Sequence, residues 1–93
     1  MNYQVKWTSQ FRKDYKRLQR SGLDMNLLDH VIRLLARGEP LPPEYLNHGL
    51  SGNLAGMQEC HVRPDWLLVY CYTHDILVLT LSRTGTHSDL FGK

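Results

Sequence analysis

Between residues 58 and 83 three runs rich in β-branched, aromatic and aliphatic residues, Gln58 to Val62, Trp66 to Tyr72 and Ile76 to Arg83, are separated only by Arg63-Pro64-Asp65 and Thr73-His74-Asp75. Segments this short have turn chemistry and can join neighbouring strands only in the antiparallel sense, because a parallel return needs a crossover of a dozen residues or more. The C-terminal half is therefore predicted to be an antiparallel meander, and the rest of the chain must fold around it.

What precedes the meander alternates in kind. Tyr3, Val5 and Trp7 interleave with Asn2, Gln4 and Lys6, the period-2 pattern of a half-buried strand. Thr8 or Ser9 can cap a helix over roughly residues 9 to 20, in which Phe11, Tyr15 and Leu18 recur at i, i+4 and i+7 and which Gly22 ends. Asp24 can cap a second helix with a wide apolar face of Leu27, Leu28, Val31, Ile32, Leu34 and Leu35, stopped by Gly38 and Pro40. Residues 38 to 56, rich in Pro, Gly, Ser and Asn, read as a long loop, and loops of that length in a small domain usually serve a site. The tail after Arg83 is polar except for Leu90 and Phe91 and is expected to pack back on the sheet as a short turn. The expected fold is α+β, ordered β-α-α-β-β-β, with a small antiparallel-rich sheet and the two N-terminal helices on one face.

Ninety-three residues hold one small core, so residues 1–93 are read as a single domain. A composition 42% hydrophobic and 22% charged excludes a disordered chain or a fibre. No stretch approaches the roughly 20 apolar residues of a membrane span, and no signal-peptide run opens the sequence, so no membrane association and a cytoplasmic location are expected. Cys60 and Cys71 lie in apolar or alternating runs and are read as core thiols.

The chemistry-bearing residues concentrate in the C-terminal half: His48 in the loop, His61 and Asp65 across the Arg63-Pro64 turn, Arg83 at the last strand's end and His87 in the tail. An antiparallel meander puts the end of its first strand, the start of its second and the end of its third at one edge. Imidazoles, one carboxylate and one guanidinium suit metal-free RNA cleavage, in which a base activates the ribose 2'-hydroxyl, an acid protonates the departing 5' oxygen and a cation meets the growing phosphate charge. By spacing alone each has an ordinary reading too: surface or core histidines, a turn aspartate, a solvated arginine, with Trp66 and Phe91 as core residues. His30 and His74 are read as structural.

A metal site is not expected, because H-x-x-x-H and C-x-x-C spacings are missing and adjacent Cys60 and His61 face opposite ways in a strand. Gly49, Gly52 and Gly56 match no phosphate-cradling motif, so no cofactor is expected. Net charge is only +2, yet Arg12, Lys13, Lys16, Arg17 and Arg20 put five of the eleven basic residues in nine positions, offset only by Asp14, away from the first helix's apolar stripe. That face is either a solvated surface or an RNA contact.

Two segments, His61-Val-Arg-Pro-Asp65-Trp66-Leu-Leu-Val-Tyr70 and Leu81-Ser-Arg83-Thr-Gly-Thr-His87-Ser-Asp-Leu-Phe91, resemble the paired signature of YafQ-type toxins in the RelE/ParE superfamily. The similarity extends over nearly the whole chain, including Leu41-Pro-Pro and Tyr45-Leu-Asn-His48-Gly-Leu-Ser-Gly. It implies a RelE-like fold and a ribosome-dependent endoribonuclease that cuts translated mRNA in the A site without a metal and is neutralised by a cognate antitoxin. Operator DNA would be met only as part of the toxin–antitoxin complex. It further implies that His48, His61, Asp65 and His87 form the acid–base group, that Arg83 stabilises the phosphate, and that Trp66 and Phe91 shape the site. His87 is expected to be the acid, with Asp65 or a neighbouring histidine as the base. A ribosome-independent ribonuclease and a non-catalytic RNA- or ribosome-binding module are the alternatives.

Overall fold

The meander forms at the predicted place. In the computed structural model, which describes residues 2–92, strands β3 (Gln58–Arg63), β4 (Trp66–Thr73) and β5 (Val78–Gly85) pair antiparallel in sequence order. Met1 and Lys93, the ends of the expected 1–93 domain, lie outside the described residues. The third strand starts two residues later than expected, because residues 74–77 form a four-residue turn closed by Thr73 opposite Val78. Leu77 takes a positive φ there, and Ile76 is 67% exposed rather than in the sheet.

The N-terminal strand β1 (Gln4–Trp7) lies parallel to β5 at the edge of a five-stranded sheet ordered β1-β5-β4-β3-β2, in which β2 is the pair His48–Gly49. The long connection between them, which holds both helices and the other three strands, makes that parallel placement possible. Helix α1 (Ser9–Arg20) is capped by Thr8, whose hydroxyl accepts from the Phe11 N–H, and α2 (Met25–Ala36) by Asp24, which accepts from the Asn26 N–H. Phe11 and Leu18 of α1 and Leu28, Val31 and Leu35 of α2 pack with Cys60, Val62, Trp66, Leu68, Tyr70, Leu79 and Leu81 into one core cluster on one face of the sheet. The sheet is therefore mixed, four strands antiparallel and one parallel, with the helices on one side as expected.

Two departures from the sequence reading matter for the site. The 38–56 segment is structured in pieces: a 3-10 turn at Pro43–Tyr45, a fifth strand β2 (His48–Gly49) paired antiparallel with β3, and a second 3-10 turn at Gly52–Leu54. Two residues are too few to show a period, so this strand is invisible to pattern reading. The tail forms a helix, α3 (His87–Phe91), opened by a capping box between Thr86 and Asp89.

A β-bulge between β4 and β5 decides which face receives Arg83. Tyr70 opposes Leu81 while Val69 opposes Arg83, so Ser82 is the extra residue. Simple alternation from Leu79 and Leu81 would have carried Arg83 to the core side. The bulge moves it to the other one and brings Thr84 inward, where it is fully buried.

Candidate active site

Residues directly opposed across strands share a face of the sheet. The register therefore lines up His48, Glu59, Val69 and Arg83 in one row across four strands, with His61, Leu67 and Gly85 in a neighbouring row, on the face away from the main core cluster. Arg83 is two strand spacings from Glu59, about 10 Å between backbones. His87 joins from α3, its ring centroid 5.9 Å from that of His61, and the His48 ring lies 6.2 Å from His61 on the other side. Three imidazoles thus form a line, with His61 in the middle.

Their hydrogen bonds distinguish them. The Nδ1 of His61 lies 3.2 Å from the Pro64 carbonyl oxygen, and that of His48 lies 2.9 Å from the Leu46 carbonyl oxygen. A carbonyl only accepts, so in both rings Nδ1 carries the proton and donates it. The Nε2 of His61 then holds a lone pair, with its nearest carboxylate oxygen, Glu59 Oε1, at 3.9 Å, beyond hydrogen-bond range. The Nε2 of His48 lies 3.2 Å from the same oxygen.

His87 is held by Asp65. One carboxylate oxygen, Oδ1, accepts from the His87 backbone N–H at 3.1 Å and lies 2.7 Å from the ring Nδ1. This fixes the ring and directs Nε2 outward. The His87 side-chain bond, then the backbone one, hold the Asp65 carboxyl below the usual carboxylate range, so Asp65 is a weak base.

Glu59 is the residue that sequence reading missed. It is only 5% exposed, one oxygen faces His48, and the other, Oε2, is buried with no hydrogen-bond partner among the described residues. Its only sequence signal was a charged residue in a strand otherwise read for its apolar pattern. His48, Glu59 and His61 each offer one ligand atom within 4.8 Å of the others, so this trio could hold a metal ion. The H-x-x-x-H and C-x-x-C spacings place ligands within one segment, whereas these come from two paired strands.

The remaining expected residues separate by place. Arg83 donates Nε to Asp14 at 2.7 Å and Nη2 to the same carboxylate at 3.3 Å, and these bonds leave the two N–H groups of Nη1 for a phosphate. Trp66 is 4% exposed and belongs to the core cluster, with its indole N–H donating to Thr84 Oγ1. It also lines a small pocket beside Leu18, Leu23, Arg63, Asp65, Gly85 and Thr86. Phe91, at the end of α3, is 40% exposed. Of the basic group on α1, Lys13, Lys16 and Arg20 are exposed, Arg12 lies over the Trp7 ring, and Arg17 is engaged by Asp14 and Asp89. Asp14, read as an offset to that face, is fully buried and belongs to the inner stripe of the helix.

Neighbouring imidazoles whose Nδ1 atoms are bonded within the protein can move two protons through their Nε2 atoms on one bound phosphodiester. Against known proteins, the family model described as "Bacterial toxin of type II toxin-antitoxin system, YafQ" matches residues 3–92. The mRNA interferase toxin YafQ of Escherichia coli K12 is 40% identical over 89 residues, covering 95% of each chain. In the crystal structure of the E. coli DinJ–YafQ complex a chain 40% identical matches with a TM-score of 0.89, over 97% of this chain and 99% of that one. A metal-bound toxin from Helicobacter pylori, 42% identical, matches with a TM-score of 0.90 over 98% and 100%.

Proposed function

The chain belongs to the YafQ family of bacterial type II toxins and is an endoribonuclease of the mRNA interferase kind; from that premise we propose that His61 and His87 are its base and acid. The observation carrying this assignment is the pair of rings 5.9 Å apart whose Nδ1 atoms are both engaged, leaving both Nε2 atoms for substrate. His61 Nε2 takes the proton from a ribose 2'-hydroxyl as its oxygen attacks the adjacent phosphorus. His87 gives its Nε2 proton to the departing 5' oxygen, and a 2',3'-cyclic phosphate and a 5'-hydroxyl remain. Arg83 Nη1 donates to the phosphate oxygens as charge accumulates on them. The reaction itself requires no metal. Of the two expected bases, Asp65 is the weaker candidate because both its bonds go to His87, and orienting that ring is its role. Glu59 and His48 form the wall behind His61.

The substrate is messenger RNA being translated, reached in the ribosomal A site, with Lys13, Lys16 and Arg20 against the RNA backbone. A cognate antitoxin covers and silences the site, and operator DNA is bound only by the toxin–antitoxin complex. The protein acts in the cytoplasm, and among the described residues no helix is long and apolar enough to cross a membrane.

Single-turnover cleavage of mRNA on programmed ribosomes, measured against pH, tests the assignment. A bell-shaped profile is expected, in which His61→Ala removes the acidic limb and His87→Ala the alkaline one, each with a loss of about 10² to 10⁴ in rate. An unchanged rate in either folded variant refutes the assigned role. Intact mRNA with excess wild-type protein would point to a binding module, and equal cleavage of bare RNA would remove the ribosome from the reading.

A further inference from the structure

Asp14 is a fully buried carboxylate in a helix whose outer face is basic. It stands three residues after Phe11 and four before Leu18, on the inner stripe where an apolar side chain is the ordinary occupant. Strand β1 ends at Trp7 opposite Leu81, so the edge of β5 beyond that point has no strand beside it. The Asp14 carboxylate fills the gap. Oδ2 accepts from the Thr84 N–H at 3.2 Å and from Arg83 Nε at 2.7 Å. Oδ1 accepts from Arg17 Nη1 at 2.9 Å, Gln10 Nε2 at 3.2 Å and Arg83 Nη2 at 3.3 Å.

The network continues into α3. Arg17 Nη2 donates to Asp89 Oδ2 at 3.1 Å, and the same oxygen accepts from the Thr86 N–H at 3.0 Å, one residue before His87. Gly85 lies where these groups converge, and a Cβ there would come within 2.7 Å of Asp89 Oδ2 and 2.9 Å of Arg17 Nη2. Two carboxylates and two guanidiniums balance in charge and tie α1, β5 and α3 together. Burying charge is a poor route to stability, since a well-packed apolar replacement is often as stable. The geometry such a cluster imposes is what an apolar replacement cannot supply.

We propose that Asp14 is a positioning residue for cleavage: it grips the Nε and Nη2 edge of Arg83, so that the Nη1 edge is held toward the phosphate. The inference rests on the assignment of Arg83 to the phosphate. An arginine already oriented spends none of the reaction on finding its place, and a misplacement of about 1 Å costs on the order of 10²-fold in rate.

The test is a double-mutant cycle on the full chain, read as kcat and KM for mRNA cleavage. Arg83→Ala should lose about 10³-fold in kcat, and Asp14→Asn about 10²-fold with KM little changed. The double variant should be no slower than Arg83→Ala alone. Independent losses that multiply in the double variant, or wild-type kcat in Asp14→Asn, overturn the proposal while leaving the role of Arg83 intact. Full activity in Arg83→Ala overturns the assignment of Arg83 and the proposal with it. If Asp14→Asn does not fold, guanidinium ion added to Arg83→Ala decides. Saturable recovery of kcat, not reproduced by ammonium, is expected from a carboxylate cradle that holds the missing group, and no recovery overturns it.

Discussion

Asp14 and Glu59 are both buried carboxylates, 0% and 5% exposed, on a helix stripe and in a strand row beside the candidate site, yet their surroundings are opposite. Asp14 accepts from two guanidiniums, a backbone N–H and an amide, so all its lone pairs are engaged. Burial alone would push its carboxyl up, but the bonds from Arg83, Thr84, Arg17 and Gln10 together outweigh this and hold it below the usual range. Among the described residues Glu59 has imidazoles as its only ionic partners, and one of its oxygens is buried without a partner. A fully satisfied carboxylate fixes geometry. One left half satisfied beside titratable rings is available for proton or metal chemistry.

If this contrast holds, removing each carboxylate has a different consequence. The largest effect on stability belongs to Asp14→Ala, which leaves two guanidiniums and the Thr84 N–H without their acceptor and should cost about 3–5 kcal/mol in urea denaturation. A loss under about 1 kcal/mol would place Asp14 with ordinary surface charges.

The next effect concerns Glu59. Zn²⁺ or Cu²⁺ bound at His48, Glu59 and His61 would occupy the His61 lone pair, so added metal should inhibit cleavage. Glu59→Gln should weaken metal binding at least about tenfold in a calorimetric titration while changing stability by no more than about 1 kcal/mol. Stimulation by metal would contradict the part given to His61.

The smallest expected effect is on acid stability. The carboxyl of Asp14 has its folded value below the ordinary 3.8, so its contribution is complete above that pH and disappears as pH falls through the lowered value. Thermal melts across this window should lose part of their slope in Asp14→Asn, and an unchanged slope there would refute the lowered value.

Much of this was legible in the residues themselves. The short segments around Pro64 and His74 dictate the meander, and the meander places His61, Asp65 and Arg83 at one end of the sheet. The signature around His61 to Tyr70 and Leu81 to Phe91 carried the family. Glu59 was hidden because its burial depends on β2, two residues long, and on His48 arriving opposite it. Asp14 left a trace, an acid at the helical position of the apolar stripe, but was read instead for the charge it offsets. The basic group on α1 was seen as one face, whereas Arg12 is occupied by Trp7 and Arg17 by two carboxylates.

The sequence by itself determined the order of elements, the antiparallel pairing of the C-terminal strands and the residue types that can move protons, because these follow from local pattern and chain reach. Only the tertiary structure decided that Arg83 leaves the core side, that the Nδ1 of His61 meets the Pro64 carbonyl while Asp65 is bonded to His87, and that Asp14 grips Arg83. A bulge shifts facing by one residue without changing the hydrophobic pattern, and a hydrogen bond between residues 69 positions apart, as Arg83 and Asp14 are, is set by how helix and sheet edge meet.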